Sequence, residues 1–274
     1  THAEPTWVHF GAGNIFRAFP AAILNDALNS GNMDTVKEVL GNNTDSLAAA
    51  LAAPVQVKRT AVFPVKNFGS QLAPFYTILP LFVGSLLMAV TLKPGVSRKN
   101  REGLDNPKPH QLFLGHYGVF GVIALLQSTF SLGGNLLFLH VQAVHPWLFM
   151  LVGWTSSLVF SFFTYTMVAS FGNIGKAIGV LVLVAQISGS NGAYPLAVLP
   201  KIISDISPFL PATHSIVALR AAIAGIYNND YWHALGSLLL FLIPLLLIGL
   251  VLRIPLVKFN KWYVAKVEST KVIS

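Results

Sequence analysis

The chain has 274 residues, of which 54% are hydrophobic and only 10% are charged, and it contains no cysteine. Soluble domains carry about 25% charged residues, so this composition excludes an ordinary soluble globular protein. All of the net charge of +8 lies after residue 70, in short basic clusters between long uncharged runs. That pattern is typical of an integral membrane protein and not of a nucleic-acid-binding surface. The absence of cysteine excludes a disulfide framework and cysteine-based metal or redox sites.

The first element in chain order is a short apolar strand, a glycine turn and an amphipathic helix, in WVHFGAGNIFRAFPAAILNDALNSG. Gly11 and Gly13 permit a tight turn at which a pyrophosphate can approach the N-terminus of the helix. No second strand with an acidic residue about 20 positions later follows. Residues 1–31 are therefore predicted to be a truncated βα-like fragment that cannot bury a core of its own.

The rest of the chain is predicted to be an all-α integral membrane protein. Residues 32–70 form an extracytoplasmic stalk remnant, and residues 71–274 form a membrane domain, because a helix needs about 20 apolar residues to cross a bilayer. The five predicted spans are 72–92, 113–139, 146–170, 177–197 and 231–252. The fourth span is the weakest, because QISGSNG dilutes its second half with polar residues and glycine.

The basic residues predict an orientation. Of the thirteen Lys and Arg after residue 70, eleven lie in the first loop, the third connection or the C-terminal tail, and only Lys201 and Arg220 lie on the opposite side. The first loop and the C-terminus are therefore predicted to be cytoplasmic, in a multi-pass protein of the plasma membrane. Residues 1–70 would then need to be exported without a signal peptide, which predicts that the chain is a fragment lacking an upstream span.

The predicted spans contain no Asp, Glu, Lys or Arg, which argues against an ion-coupled transporter. Neutral polar and small residues, such as Asn135 in the second span and Ser156, Ser157 and Thr164 in the third, are predicted to serve interhelical packing and hydrogen bonding in preference to a substrate path.

Residues 194–227 are too rich in proline for a normal span and too apolar for a free loop. They are predicted to form short helices in or dipping into the outer interface, with one apolar face that needs lipid or a second subunit as its partner. Asp205 and Arg220 lie here, either as a pair or as separately solvated charges. The candidate interface or re-entrant residues are Pro208, Pro211, Ile216, Leu219, Arg220, Ile223 and Ile226.

The run GNIGKAIGVLVLVAQISGSNGAYPLAVLPKIISDISPFLPATHSIVALRAAIAGIY resembles the last part of the membrane domain of the phage infection protein (YhgE/Pip) family, itself similar to type-2 ABC exporter permeases. The resemblance covers about residues 34–274. It implies a permease-like export subunit, or the membrane anchor of a surface structure usable as a phage receptor, in the lipid bilayer with a second copy or a membrane partner subunit. The chain has no G-x-x-x-x-G-K-[ST] motif, so ATP hydrolysis would come from a separate ATPase.

The string HFGAGNIFRAF resembles the start of the mannitol and mannonate dehydrogenase family. The resemblance implies that Gly11, Gly13, Asn14 and Phe16 would line a nicotinamide cofactor loop. Because the remaining sheet is absent, no functional cofactor is predicted. The switch between families near residues 31–34 predicts a composite chain.

No catalytic residue, metal ligand or nucleic-acid partner is predicted, and the chain is not expected to be an enzyme. Two alternative functions stay open at this point: a fragment of an NAD-dependent polyol dehydrogenase of the mannitol type, and a structural membrane scaffold.

Overall fold

A computed structural model describes residues 63–92, 108–253, 255–257 and 260. Within these ranges the chain is helical and has no strand, as predicted for an all-α membrane protein. The βα-like fragment, most of the predicted stalk, most of the first loop and most of the C-terminal tail lie outside the described residues.

Eight α-helices are described. They are α1 (Phe68–Thr91), α2 (Pro109–Leu137), α3 (Pro146–Phe171), α4 (Asn173–Gly189), α5 (Lys201–Ile206), α6 (Pro211–Ala224), α7 (Asp230–Leu240) and α8 (Leu242–Leu246). Short 3-10 turns lie at Leu196–Val198 and Ser207–Phe209, and a π-helical turn at Leu247–Leu252 continues α8. Together α7, α8 and the π turn form one apolar segment, Asp230–Leu252, called here the last span.

Four of these segments are long and apolar enough to cross a membrane: α1, α2, α3 and the last span. Their bounds coincide to within a few residues with four of the five predicted spans, 72–92, 113–139, 146–170 and 231–252. Their starts follow local rules, because the Asn67 side chain caps α1 by accepting from the Ser70 N–H at 2.7 Å, and α2 and α3 each begin with a proline.

The predicted fourth span is wrong in its extent. The helix α4 ends at Gly189 instead of continuing to residue 197, because Ser188 to Gly192 are weak helix formers and Pro195 follows. At 17 residues α4 is about 25 Å long, somewhat shorter than a usual span. A Cβ on Gly179 would lie 2.7 Å from Leu86 of α1, and Gly192 lies against Phe75 of α1. The chain from α4 to Gly192 therefore runs antiparallel along most of α1.

The long helices alternate in direction. The Ser70 hydroxyl of α1 accepts from the Gln142 N–H, in the connection before α3, at 3.1 Å. The Tyr231 hydroxyl of the last span donates to the Leu148 carbonyl of α3 at 2.9 Å. The helices α1, α3 and the last span thus begin at one end of the bundle, called here the upper end, and α2 and α4 begin at the lower end.

The helix α3 is central, because it contacts α1, α2, α4, α6 and the last span. Around its middle Phe82, Phe160 and Ile216 are buried, and the rings of Phe82 and Phe160 lie edge to face at 5.3 Å. A second apolar cluster fills the lower end, where the ring centroids of Phe113 and Tyr165 are 4.9 Å apart. The middle of the single chain is thus filled with side chains.

Residues Lys201–Phe209 and Pro211–Ala224 form two apolar segments that meet at an angle of 81°, called here the bent pair. At its exit the Ile223 and Ala222 carbonyls accept from the Val144 and His145 N–H groups just before α3, at 3.2 and 3.0 Å. At its entry the preceding turn is held by Arg220, whose Nη2 donates to the Gly192 carbonyl at 3.0 Å. The exit of the bent pair therefore lies at the upper end of the bundle, and the 81° bend makes the pair either a broken span or a re-entrant segment.

Candidate functional site

The tip of the bent pair, residues 207–215, is a turn closed by its own polar side chains. The Thr213 hydroxyl donates to the Ser207 carbonyl at 2.8 Å, and the hydroxyl oxygens of Ser207 and Thr213 are 3.2 Å apart. The His214 ring Nε2 lies 2.9 Å from the Pro208 carbonyl oxygen. Pro211 starts α6, where the first N–H groups of a helix have no intrahelical partner and a proline costs little. The prolines that exclude one continuous helix thus build a hydrogen-bonded turn.

The tip reaches into the interior of the bundle. The Ser156 hydroxyl of α3 donates to the Ser215 hydroxyl of α6 at 2.8 Å, and both residues have no exposed surface. Ser156 is ten residues along α3, about 15 Å from its upper end. Ser215 in turn donates to the Pro211 carbonyl at 3.2 Å. The tip is therefore anchored at the middle of the bundle by a chain of hydroxyl groups.

Other hydroxyl groups of α3 bind neighbouring helices. Ser157 donates to the Ala124 carbonyl of α2 at 2.7 Å, and Thr164 donates to the Ser85 carbonyl of α1 at 3.0 Å. Interhelical hydrogen bonding, as predicted, is confirmed for these two residues and for Ser156. Thr155 instead bonds within its own helix, to the Leu151 carbonyl at 2.8 Å.

The expectation that one face of the bent pair needs an external partner is wrong. Ile216, Leu219 and Ile223 are at most 2% exposed and belong to the central core of the same chain. The bend turns α6 into the bundle, where α1, α3 and α7 cover this face. Ile226 follows α6 and packs, half-buried, against the same core. Lipid and a second copy therefore have no access to Ile216, Leu219 and Ile223.

Arg220 is half-buried, whereas Asp205 and Lys201 are exposed. Within the described ranges, Arg220 donates to the Gly192 carbonyl and forms no ion pair with Asp205. The predicted alternative in which Asp205 and Arg220 form an ion pair is therefore not observed. Arg220 instead fastens the turn after α4 to α6.

The sequence prediction missed Gln186 and Ser190, which lie on one face of α4 and its C-terminal end. Gln186 is completely buried and Ser190 is 1% exposed, and neither the Gln186 amide nor the Ser190 hydroxyl has a hydrogen-bond partner among the described residues. Gly189, between them, lies against Leu210 of the tip. The sequence signal was present, because an amide four residues before a serine in an apolar helix puts two polar groups on one face. In the sequence alone, the same run predicts only a weak second half of the fourth span.

The candidate cofactor residues Gly11, Gly13, Asn14 and Phe16 lie outside the described residues. Within the described part of the chain, no three His, Asp or Glu side chains come together in a way that could hold a metal ion.

Comparison with known proteins gives a match of residues 12–251 to the family described as ABC-2 family transporter protein. The chain is 29% identical over 199 residues to the uncharacterized protein YhgE of Bacillus subtilis, and this match covers 71% of the chain and 24% of that protein. The chain thus spans about a quarter of the length of this curated relative. A further match, 57% identical over 35 residues, is to the D-mannonate oxidoreductase of Thermotoga maritima and covers 13% of the chain and 6% of that protein. No solved structure gives a significant match.

These matches confirm the resemblance to a YhgE-like permease-type membrane domain, and the dehydrogenase resemblance is a short match. The composite junction near residues 31–34 stays a prediction.

Proposed function

The chain belongs to the ABC-2 family of transporter proteins, and from that premise we propose that it is the permease-like subunit of an exporter. Proteins of this family are components of membrane transport systems and not classical enzymes. The apolar helices of this chain make it a multi-pass membrane protein. Its cargo would move in response to ATP hydrolysis by a separate ATPase subunit.

One observation carries the proposal over a purely structural scaffold: the buried Gln186 amide and Ser190 hydroxyl, which have no partner among the described residues, lie where the tip of the bent pair enters the bundle. A scaffold gains nothing from a buried amide and hydroxyl without partners, because such groups cost free energy in an apolar interior. A permease needs a part of the bundle that can rearrange, and weakly satisfied polar groups favour such a rearrangement. Gln186 and Ser190 lie on the helix that packs beside this tip.

A disulfide lock tests this proposal. Ser156→Cys with Ser215→Cys would join α3 to the tip, at positions whose hydroxyl oxygens are 2.8 Å apart, in a chain that has no cysteine of its own. The encoding organism, with the native gene deleted, is complemented with each variant, and components released to the medium are compared by mass spectrometry. We expect components that depend on the wild-type chain to disappear under oxidation of the locked variant and to return on reduction.

A matched control pair is Ala124→Cys with Ser157→Cys, which joins α2 to α3 where Ser157 donates to the Ala124 carbonyl. This pair should leave release unchanged, because neither helix belongs to the bent pair. If the chain accumulates normally and no released component depends on it, or if the tip lock has no effect on release, a membrane anchor or scaffold is the better description.

We also propose that the upper end of the bundle faces the outside and that the C-terminus is cytoplasmic, on the distribution of Lys and Arg. The exposed Ala197, in the turn before the bent pair, is a suitable outer reporter. An impermeant thiol reagent added to intact cells should label Ala197→Cys, and should label Ser97→Cys or Ser269→Cys only after permeabilisation. Ser215→Cys should stay unlabelled in both cases, because it is buried. Labelling of position 97 in intact cells would invert the orientation.

We also propose that the chain functions together with a second copy of itself or with a membrane partner subunit. Phe82, Phe160 and Ile216 fill the middle of the single chain, so a conduit for cargo would run along its surface and be completed by a neighbour. Native mass spectrometry of the protein extracted in mild detergent should show a dimer or a hetero-complex. A monomer that still supports release of the dependent components would contradict this proposal.

A further inference from the structure

A groove of about 540 Å³ lies at the upper end of the bundle, between the first three turns of α1 and the end of α2. Its apolar walls include Leu72, Tyr76 and Leu139, and none of its lining residues is charged. The groove is separate from the tip of the bent pair, since none of its lining residues comes from α4, α5 or α6.

Two polar side chains of the lining join its walls. The Asn135 Nδ2 of α2 donates to the Thr77 hydroxyl of α1 at 2.6 Å. This bond leaves the second amide hydrogen and the amide oxygen of Asn135, together with the hydroxyl hydrogen of Thr77, without a partner in the described part of the chain. Thr77 is 2% exposed, so this pair lies where helix α1 is buried. A ligand in the groove therefore meets one hydrogen-bonding point between apolar walls.

The upper rim of the groove is polar and held in shape. Asn67 caps α1, and the Ser70 hydroxyl accepts from the N–H of Gln142, whose side-chain oxygen in turn accepts from the Lys66 N–H at 2.8 Å. These bonds fasten the connection between α2 and α3 to the beginning of α1. The rim thus does not depend on a ligand for its shape.

The backbone beside the groove indicates how deep in the membrane the groove lies. Phe138 and Leu139, which follow the last residue of α2, are 81% and 71% exposed and non-helical. Their N–H groups donate to the Gly134 carbonyl, at 2.9 and 3.2 Å, but none of the described residues donates to their own carbonyls, and carbonyl groups without a donor are not stable in the hydrocarbon core. The end of α2 must therefore lie at the boundary between headgroups and acyl chains. Asn135 is two residues before that end, about 3 Å below it.

The groove is also open toward the side of the bundle, because Tyr76 and Leu139, which flank it, are 65% and 71% exposed. In a helix that crosses a membrane, this side faces lipid. We propose that the groove binds one phospholipid of the leaflet at the upper end. Its glycerol-ester region lies at Asn135 and Thr77, where a carbonyl oxygen accepts from the amide or hydroxyl hydrogen, and its acyl chains follow the apolar seam between α1 and α2.

The experiment uses the full-length chain purified in detergent and incubated with phosphatidylglycerol that carries a diazirine near the ester. After irradiation, cross-linked peptides are mapped by mass spectrometry, and retained lipid is counted by native mass spectrometry. We expect one retained lipid per chain, with cross-links confined to residues 67–77 and 135–141. Asn135→Leu, which removes the amide from the hydrogen-bonding point, and Leu72→Trp, which fills the groove, should each lower retention at least fivefold.

Gln127→Leu is the matched control. The Gln127 Nε2 also donates from α2 to α1, to the Pro80 carbonyl at 3.4 Å, but it does not line the groove. This variant should retain lipid like the wild type. A dialkyl ether analogue without ester carbonyls should be retained at least fivefold less than the diester.

The proposal is overturned if cross-links are spread around the bundle, or if Gln127→Leu loses as much lipid as Asn135→Leu, which would indicate a general loosening of the two helices. Equal retention of the ether analogue would remove the carbonyl as the recognised group. Unchanged retention in Leu72→Trp would place the lipid elsewhere.

Discussion

Replacing Gln186 with leucine should stabilise the protein. The Gln186 side chain has no exposed surface, and neither its amide nitrogen nor its amide oxygen has a hydrogen-bond partner within the described residues. Leucine has a similar volume and removes both polar atoms, so it introduces neither a large cavity nor strong crowding. The substitution thus isolates the free energy of burying an unpaired amide.

The size of the effect follows from that burial. Leaving a polar group without a hydrogen-bond partner in a protein interior costs about 1–3 kcal/mol. In Gln186 both the amide N–H donor and the amide oxygen acceptor lack a partner among the described residues. In the unfolded state within detergent micelles, α4 is still helical, but the amide can reach water or detergent headgroups. We therefore expect Gln186→Leu to raise the free energy of unfolding by about 1–3 kcal/mol.

The measurement is reversible unfolding in mixed micelles with increasing SDS, followed by tryptophan fluorescence. Gln127→Leu is the matched control, because it removes the same amide from a residue that has a partner, the Pro80 carbonyl. The control should be neutral or destabilised by up to about 1 kcal/mol. If Gln186→Leu is destabilised as well, the amide has a partner in the folded protein and the reasoning is refuted.

The remaining predictions test packing, hydrogen bonding and the cofactor. Gly153→Val should destabilise the protein by about 1–3 kcal/mol in the same SDS assay, because a Cβ there would overlap Leu132, whereas Gly134→Ala, whose Cβ would meet no atom within 4 Å, should be neutral or stabilised by up to about 1 kcal/mol. A double-mutant cycle of Ser156→Ala and Ser215→Ala should give a coupling of about 0.5–1.7 kcal/mol, and zero coupling would show that their bond contributes nothing. Isothermal titration calorimetry should show no NAD binding to the purified chain; saturable micromolar binding that Gly13→Val abolishes would reverse this expectation.

The sequence was sufficient for the long spans, because their signal is local. Twenty uncharged apolar residues predict a membrane helix whatever packs beside it, and Gly172, the glycine that ends α3, is visible in the chain. The extent of α4 was misjudged because an apolar average over 177–197 conceals the short run from Ser188 to Gly192, where local helix propensity prevails.

The candidate site was less accessible from sequence. The periodicity of Ile216, Leu219 and Ile223 correctly predicts one apolar face, but periodicity does not say what covers that face. Here the 81° bend decides the outcome, because it folds the face against the chain's own helices. The groove at Asn135 and Thr77 joins residues 58 positions apart, so only the packing of α2 on α1 brings them together.

The connection between α3 and α4 is a single residue, Gly172, with φ 60° and ψ −125°, a conformation open to glycine and strained for other residues. Three residues later, a Cβ on Gly175 would overlap the backbone of Met167 and Val168, so the two helices are in close contact as they turn. One residue cannot lengthen, so any displacement of the lower end of α3 is transmitted to α4 without slack. Slack exists only at the other end of α4, where eleven residues separate Gly189 from Lys201. We therefore expect α3 and α4 to move together, so that a displacement of their lower ends reaches the upper end of α4, next to the entry of the bent pair.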